Sequence, residues 1–424
     1  NSTVAEQEEM NSLMQEYANV MAEDSELENK YDIFVFLYGD GTLTFGTQNE
    51  PIEGKTVVKE YGNIKGQEYN DWLDESNNRM SDIPWFNEVE SITKVNIMDE
   101  IIPITMKNWF YCCENLTEIE NINKIDTSEC VNMGSLFFNC TSLEKIDISS
   151  FNTSRVIDMH SMFGADTPMA LTEIKGLGNF NTSNVENIGW MFYNCNKLET
   201  LDLSNFDTSN VTSMAAMFAG STEPMALTKI IGLENFNTSN VEHMHTMFKN
   251  CSNLKELDLG NFNTNNVKHM SWMFQNCPNL EVLDLSNFNT GKVEDMEGMF
   301  NNCNSLETLN LTSFDTSKVT NMAAMFAGSS EAMKLTEIIG LENFNTSNVE
   351  SMKWMFQNCS NLKVIDLSNF DTSKVKDMTY MFAFCQSLTT IYVGENWDLS
   401  NVIEQDGMYI GCGTSTTTPK GSNL

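Results

Sequence analysis

Met-Phe pairs recur along this chain at an almost fixed interval, and no other feature limits its fold so strongly. They end at Phe163, Phe192, Phe218, Phe248, Phe274, Phe300, Phe326, Phe356 and Phe382, with variants at Phe110, Phe137 and Tyr409, and the base period is 26 residues. Three turns are longer and carry GADTPMALTEI, AGSTEPMALTKI and AGSSEAMKLTEI after Phe163, Phe218 and Phe326. A fixed period of this length marks a solenoid, in which a unit buries its apolar side only against its neighbours. A chain of 424 residues would otherwise suggest about three globular domains; the repeat overrides that expectation.

One unit, from Leu198, reads LETLDLSNFDTSNVTSMAAMF. Leu198, Leu201 and Leu203 form an L-x-x-L-x-L strand. Asp202, between the last two, faces the other way because strand side chains alternate. Phe206 follows as a core plug; its removal is expected to cost ~3–5 kcal/mol if it is fully buried. Ser209 reads as a helix N-cap. Ser183, Ser239 and Ser347, in the same place, each have a Glu three residues later, the spacing of a capping box. Val211, Met214, Met217 and Phe218 then fall on one helical face. Each coil is therefore expected to hold a short strand, a corner and a short helix.

Eleven such strands start at Leu116, Leu143, Leu171, Leu198, Leu227, Leu254, Leu280, Leu306, Leu335, Leu362 and Leu388, after a capping strand over 92–97. The predicted fold is α/β: a right-handed leucine-rich-repeat solenoid of about 11–12 coils with an N-terminal helix and β-hairpin cap. Residues 1–30 read as an acidic amphipathic helix, 31–90 as a cap with a hairpin turning at Asp40-Gly41, 91–412 as the solenoid and 413–424 as a disordered tail.

The units DLSNFDTSNVTSMAAMF and DLSNFNTGKVEDMEGMFNNC resemble the bacterial surface 26-residue repeat of BspA-like leucine-rich-repeat proteins, over about residues 90–412. The hairpin and IPWFNEVESITKVNI are similar to the N-terminal part of that family. The resemblance implies an exported protein of a bacterial surface, some relatives being implicated in adhesion to host proteins or other cells. The chain begins at Asn1 without Met, as a cleaved or truncated export precursor would, and shows no wall-sorting signal or lipobox.

Composition excludes other classes. With 59 acidic against 24 basic residues the net charge is −35, which disfavours nucleic acid and anionic lipid as partners. No 18-residue apolar run spans a bilayer. A monomer is expected.

No catalytic motif stands out: there is no G-x-S-x-G, H-E-x-x-H or P-loop. A Ser/His/Asp triad is disfavoured because the four His fall on expected surface helices. Nine of the 11 Cys, Cys113, Cys140, Cys195, Cys251, Cys277, Cys303, Cys359, Cys385 and Cys412, follow the Phe or Tyr of their turn by three residues. That reads as a column of buried thiols, not a zinc pattern. Cys112 and Cys130 fall outside it and are the expected reactive pair. The Met columns read as core. His243, His269 and Asp295 take the same place in successive coils; a metal there is set aside because coils should splay apart on that side. Neither metal nor cofactor is expected.

The candidate binding strip is a column of strand acids, Asp147, Asp202, Asp258, Asp284 and Asp366, with Asn310 substituting once and Tyr392 as the one aromatic. In the longer turns the equivalents are Lys175, Ile231 and Ile339. The ordinary reading is a solvated face; the sharper one is a concave acidic strip for a basic protein partner or Ca²⁺. Trp190, Trp272 and Trp354, each just before a Met-Phe pair, are read as lying flat over the neighbouring coil, or else as a binding patch. The function expected is non-enzymatic protein interaction or adhesion at the cell surface. A surface spacer without a ligand is the alternative, and a carbohydrate hydrolase is the least favoured.

Overall fold

The computed structural model describes residues 30–329 and 333–420, so the helix expected over 1–30 lies almost wholly outside the described residues. The chain forms two compact units that divide after Asn184.

The first unit holds the cap and the first coils. Strands β1 (Phe34–Tyr38) and β2 (Thr42–Gly46) form the hairpin, antiparallel, with Leu37 opposite Leu43. Gly41 takes φ +82° in its turn, a value glycine adopts without a Cβ penalty. β3 (Val57–Asn63) pairs with the far edge of β1, and β4 (Asp71–Leu73) pairs with β5 (Arg79–Ser81). β2 pairs in parallel with β6 (Lys94–Ile97), and β6 with β7 (Glu118–Glu120). The hairpin thus extends the ladder of the coils. The cap also seals the core: Phe45 stacks on Trp109 at 4.9 Å, and Trp85 meets Phe45 edge-on while its Nε1–H donates to the Trp109 carbonyl. β8 (Lys145–Asp147) and β9 (Glu173–Lys175) complete the unit.

The second unit stacks coils carrying β10 (Thr200–Asp202), β11 (Lys229–Ile231), β12 (Glu256–Leu257), β13 (Val282–Leu283), β14 (Thr308–Asn310), β15 (Glu337–Ile339), β16 (Val364–Leu367) and β17 (Thr390–Val393). All eleven strands expected from the leucine spacing form, each two residues after its leading Leu. Val211, Met214, Met217 and Phe218 are fully buried, and Phe206 is buried. The Phe rings stack coil upon coil, 5.6 Å from Phe218 to Phe248 and 5.8 Å on to Phe274.

The expected helices do not form: among the described residues there is no α-helix, only short 3₁₀ turns. The cause lies in the backbone. Ala216, Thr246 and Trp272 have φ of 51°, 55° and 58°, and Asn250 and Asn276, four residues after Thr246 and Trp272, have 62° and 56°. Two left-handed residues so close together cannot belong to a right-handed helix. N–H groups instead alternate between two partners. Met214, Ala216, Phe218 and Gly220 donate to His243, His245, Met247 and Lys249 of the next coil, while Met217 and Ala219 close turns on Met214 and Ala216. This segment is a second parallel ladder. In the second unit its bridges run from Asn187 through Ser213, His243, His269, Asp295, Asn321, Ser351 and Asp377 to Glu404. The strand side, by contrast, pairs mostly in twos. The expected splaying of coils on this side is therefore overturned.

Nor does Ser209 cap a helix; its N–H donates to Asp207 Oδ1 in a side-chain-closed turn. Ser183, Ser239 and Ser347 do likewise with Asn181, Asn237 and Asn345. Of the Glu residues expected in capping boxes, Glu242 and Glu350 pair with Lys268 and Lys376 of the next coil. The tail is also partly ordered, against expectation: β18 (Thr418–Pro419) pairs in parallel with β17.

Candidate binding face

The strand acids end up where the alternation placed them, but most of their chemistry is spoken for. Each terminates its strand by accepting the N–H two residues on: Ser149 to Asp147, Ser204 to Asp202, Gly260 to Asp258, Ser286 to Asp284 and Ser368 to Asp366. Asn310 does the same for Thr312. An amide oxygen serves as well as a carboxylate there, which explains the one Asn in the column.

Their charges are not equivalent. Lys175, aligned with Asp147 across the ladder, lies 2.6 Å from it and holds its carboxyl down to about 2. Lys420, from the part of the tail expected to be disordered, lies 2.6 Å from Asp366. Tyr392 aligns with Asp366, and both are half-buried. Ile231 and Ile339 align with Asp202 and Asn310, as read from the sequence. Asp202, Asp258 and Asp284 are exposed, and among the described residues no cation bridges them. The Ser204 hydroxyl lowers the Asp202 carboxyl below its ordinary range, and the Ser286 N–H lowers Asp284. The strip thus narrows to three carboxylates of the second unit, with Val282, 63% exposed, beside them.

The thiols are packing groups. Cys140, Cys251, Cys277, Cys303, Cys359 and Cys385 each donate to the carbonyl of the Phe one coil back, at 3.0–3.3 Å. The expected reactive pair is not supported. Cys130 is fully buried, and burial pushes it and the half-buried Cys112 up to about 12, which suppresses the thiolate.

The tryptophans behave individually. Trp272 lies over the next coil, for a Cβ on Gly298 would come within 1.9 Å of its ring. Trp190 meets His245 edge-on at 5.7 Å, and Lys353 sits 4.2 Å from the ring centre of the more exposed Trp354.

In the first unit the structure does assemble a serine, a histidine and an aspartate. Asp158 lies 2.8 Å from His160 Nδ1, and Ser135 Oγ is 3.4 Å from His160 Nε2. Burial opposes both charges, yet each partner favours the other, so Asp158 stays below its ordinary range and His160 above. His160 is half-buried and not on a helix, so the expectation that the histidines lie on surface helices does not hold here. Ser135 is 2% exposed, and the N–H groups of Gly134, Ser135, Leu136 and Phe137 all have partners, so none of these four is free to serve as an oxyanion donor.

A family model described as "Mycoplasma protein of unknown function, DUF285" matches residues 104–228, 169–254, 225–337 and 305–419. No curated protein matches the chain. Among solved structures it is similar to a leucine-rich repeat protein from Eubacterium ventriosum, at 17% identity over 92% of this chain and 95% of that one, TM-score 0.32. A leucine rich cell surface protein from Faecalibacterium prausnitzii matches at 14% over 92% and 93%, TM-score 0.32. A leucine-rich repeat protein from Bacteroides ovatus matches at 14% over 90% and 91%, TM-score 0.35. No helix among the described residues is long and apolar enough to cross a membrane.

Proposed function

This chain belongs to the DUF285 family of repeat proteins, and from that premise we propose that it is a non-enzymatic interaction module of the cell surface or extracellular space that holds a basic protein ligand against its strand face. The observation that carries this reading is the trio Asp202, Asp258 and Asp284, exposed on the strand side of the second unit without a bridging cation among the described residues. Each uses Oδ1 to end its strand, which leaves the second oxygen for a lysine or arginine of a partner. Affinity then comes from charge complementarity and repetition more than from anchors. The exposed Val282 adds a small apolar contact.

The native Asn310 supplies the test, because it shows that asparagine keeps the turn while removing the charge. The variant Asp202→Asn, Asp258→Asn, Asp284→Asn is compared with the natural chain on arrays of immobilised host matrix and mucosal proteins at low and moderate salt. The reading predicts a salt-sensitive partner whose affinity falls at least tenfold in the variant. A partner bound equally by both proteins would remove the strip from the account. A spacer without a ligand is favoured by the scarcity of Trp, Tyr and Arg on this face, and arrays with no signal would support it.

A further inference from the structure

Three of the four histidines lie in two adjacent coils of the second unit, His243 and His245 in one and His269 in the next. Their placement follows from the turn-side ladder. His243 bridges in parallel to His269, and His269 to Asp295. Met214 and Met244 donate to the carbonyls of His243 and His269 at 3.0 and 3.1 Å, so backbone bonds hold the rungs at ladder spacing. The His243 and His269 rings are parallel within 4°, with centres 5.3 Å apart; His245 stands edge-on to His243 at 6.2 Å. All three are half-buried. The sequence-based reason for setting a metal aside was that the coils would part here, and the ladder removes it.

The spacing suits a shared ion. Two imidazoles in neighbouring positions on one metal at the usual metal–nitrogen length have ring centres ~4.5–5 Å apart, from square-planar to tetrahedral geometry. The side-chain torsion that turns an imidazole about its Cβ–Cγ bond is broad, so the rings can tilt to bring one nitrogen of each toward a point between the coils. The surroundings are close to neutral. Lys268 lies 2.6 Å from Glu242, so these two charges offset each other beside the pair. Asp295, on the next rung, brings a negative charge, with its Oδ1 already accepting the Glu297 N–H. Among the described residues no three His, Cys, Asp or Glu side chains converge on one point, so the remaining coordination positions belong to water.

We propose that His243 and His269 form a two-imidazole chelating site for a divalent transition metal of the kind imidazole prefers, Cu²⁺, Ni²⁺ or Zn²⁺. The site is open and weaker than a four-ligand structural zinc. It sits on the turn-side ladder and does not depend on the strand-face reading; either can fail alone.

The experiment uses the full chain and two rung-preserving substitutions. Asn187 and Asn321 hold the same rung natively and accept the N–H two residues on, so His243→Asn and His269→Asn keep the local turn. Calorimetric titration with Cu²⁺ and with Ni²⁺ is run on the natural chain, both single variants, the double variant and His160→Asn as a control outside the pair. The proposal predicts one equivalent bound, tighter for Cu²⁺ than for Ni²⁺. Affinity should fall at least tenfold in each single variant and stay unchanged in the control. Paramagnetic resonance of the copper complex should report two imidazole nitrogens, and one in either single variant. The natural chain binding no more tightly than the double variant, or the control losing as much as the pair, would overturn the site and leave the stacked rings as rungs of the ladder alone.

Discussion

Within the second unit, threonine hydroxyls close junctions between coils. Thr264 is fully buried; its hydroxyl donates to the Asn289 carbonyl at 2.9 Å and accepts the Asn289 N–H at 2.8 Å. Thr238, Thr290, Thr316 and Thr346 repeat the donated bond one coil on. The Asn/Asp-Thr-Ser tripeptide is thus two devices: its first residue closes a local turn, and its second reaches the neighbouring coil. Neither device is read from the sequence: the serine reads as a helix N-cap, and the partner of the threonine hydroxyl lies 25 residues away. Thr264→Val keeps the shape and removes the hydroxyl, taking from the Asn289 N–H and carbonyl their partner in the neighbouring coil. A loss of ~0.5–1.5 kcal/mol per bond is expected in urea unfolding, and Thr264→Ser should lose less. A Val variant as stable as the natural chain would show that the hydroxyl only fills space. The strand acids teach the same lesson: their column was legible, their role in ending the strand was not.

At the scale of elements, the leucine spacing located the strand of each of eleven coils and Asp40-Gly41 located the hairpin, because a pleated strand and a tight turn are local; β3, β4, β5 and β18 carry no such spacing. The turn side departs from the expected helix for a physical reason. Val211, Met214 and Met217 are spaced by three, the interval of successive closed turns as much as of a helix face. What separates the two is backbone sign, carried by Asn250 and Asn276 and by residues as unlike as Ala216, Thr246 and Trp272. The Asn residues were the available signal, since asparagine tolerates the left-handed region. Thr246 decides between the readings, for a β-branched residue at φ 55° is costly. Thr246→Gly should leave thermal stability unchanged or raise it by about 1 kcal/mol, whereas glycine inside a helix would lower it by about that amount. A clear loss on calorimetric melting would contradict the ladder at this rung. Gly298 was legible only in hindsight, as the residue that lets Trp272 lie over it.

For the molecule as a whole, the repeat gave the class of fold, and the overlapping family matches across residues 104–419 follow the same repetition. What the repeat did not give was the division after Asn184, which joins the cap and the first coils in one compact unit. That unit holds contacts such as Phe45 against Trp109, which tie a coil to a cap that lies outside the repeat. The candidate face was legible as positions but not as charges, because Lys420, which neutralises Asp366, comes from a tail whose composition reads as unstructured. The histidine pair was legible as a register and not as a distance. Within each unit the account makes the coils interdependent on two sides, so stability accumulates with neighbours and not within a coil. The most direct test is residue-resolved amide hydrogen exchange on the second unit. The N–H groups of Trp272, Phe274 and Asn276 donate to Glu297, Met299 and Asn301 of the next coil at 2.7, 3.0 and 2.9 Å. The account predicts that these three amides exchange as slowly as those of β12 and β13; exchange at the rate of an unprotected peptide, with the strands still protected, would contradict the second ladder and with it the stack.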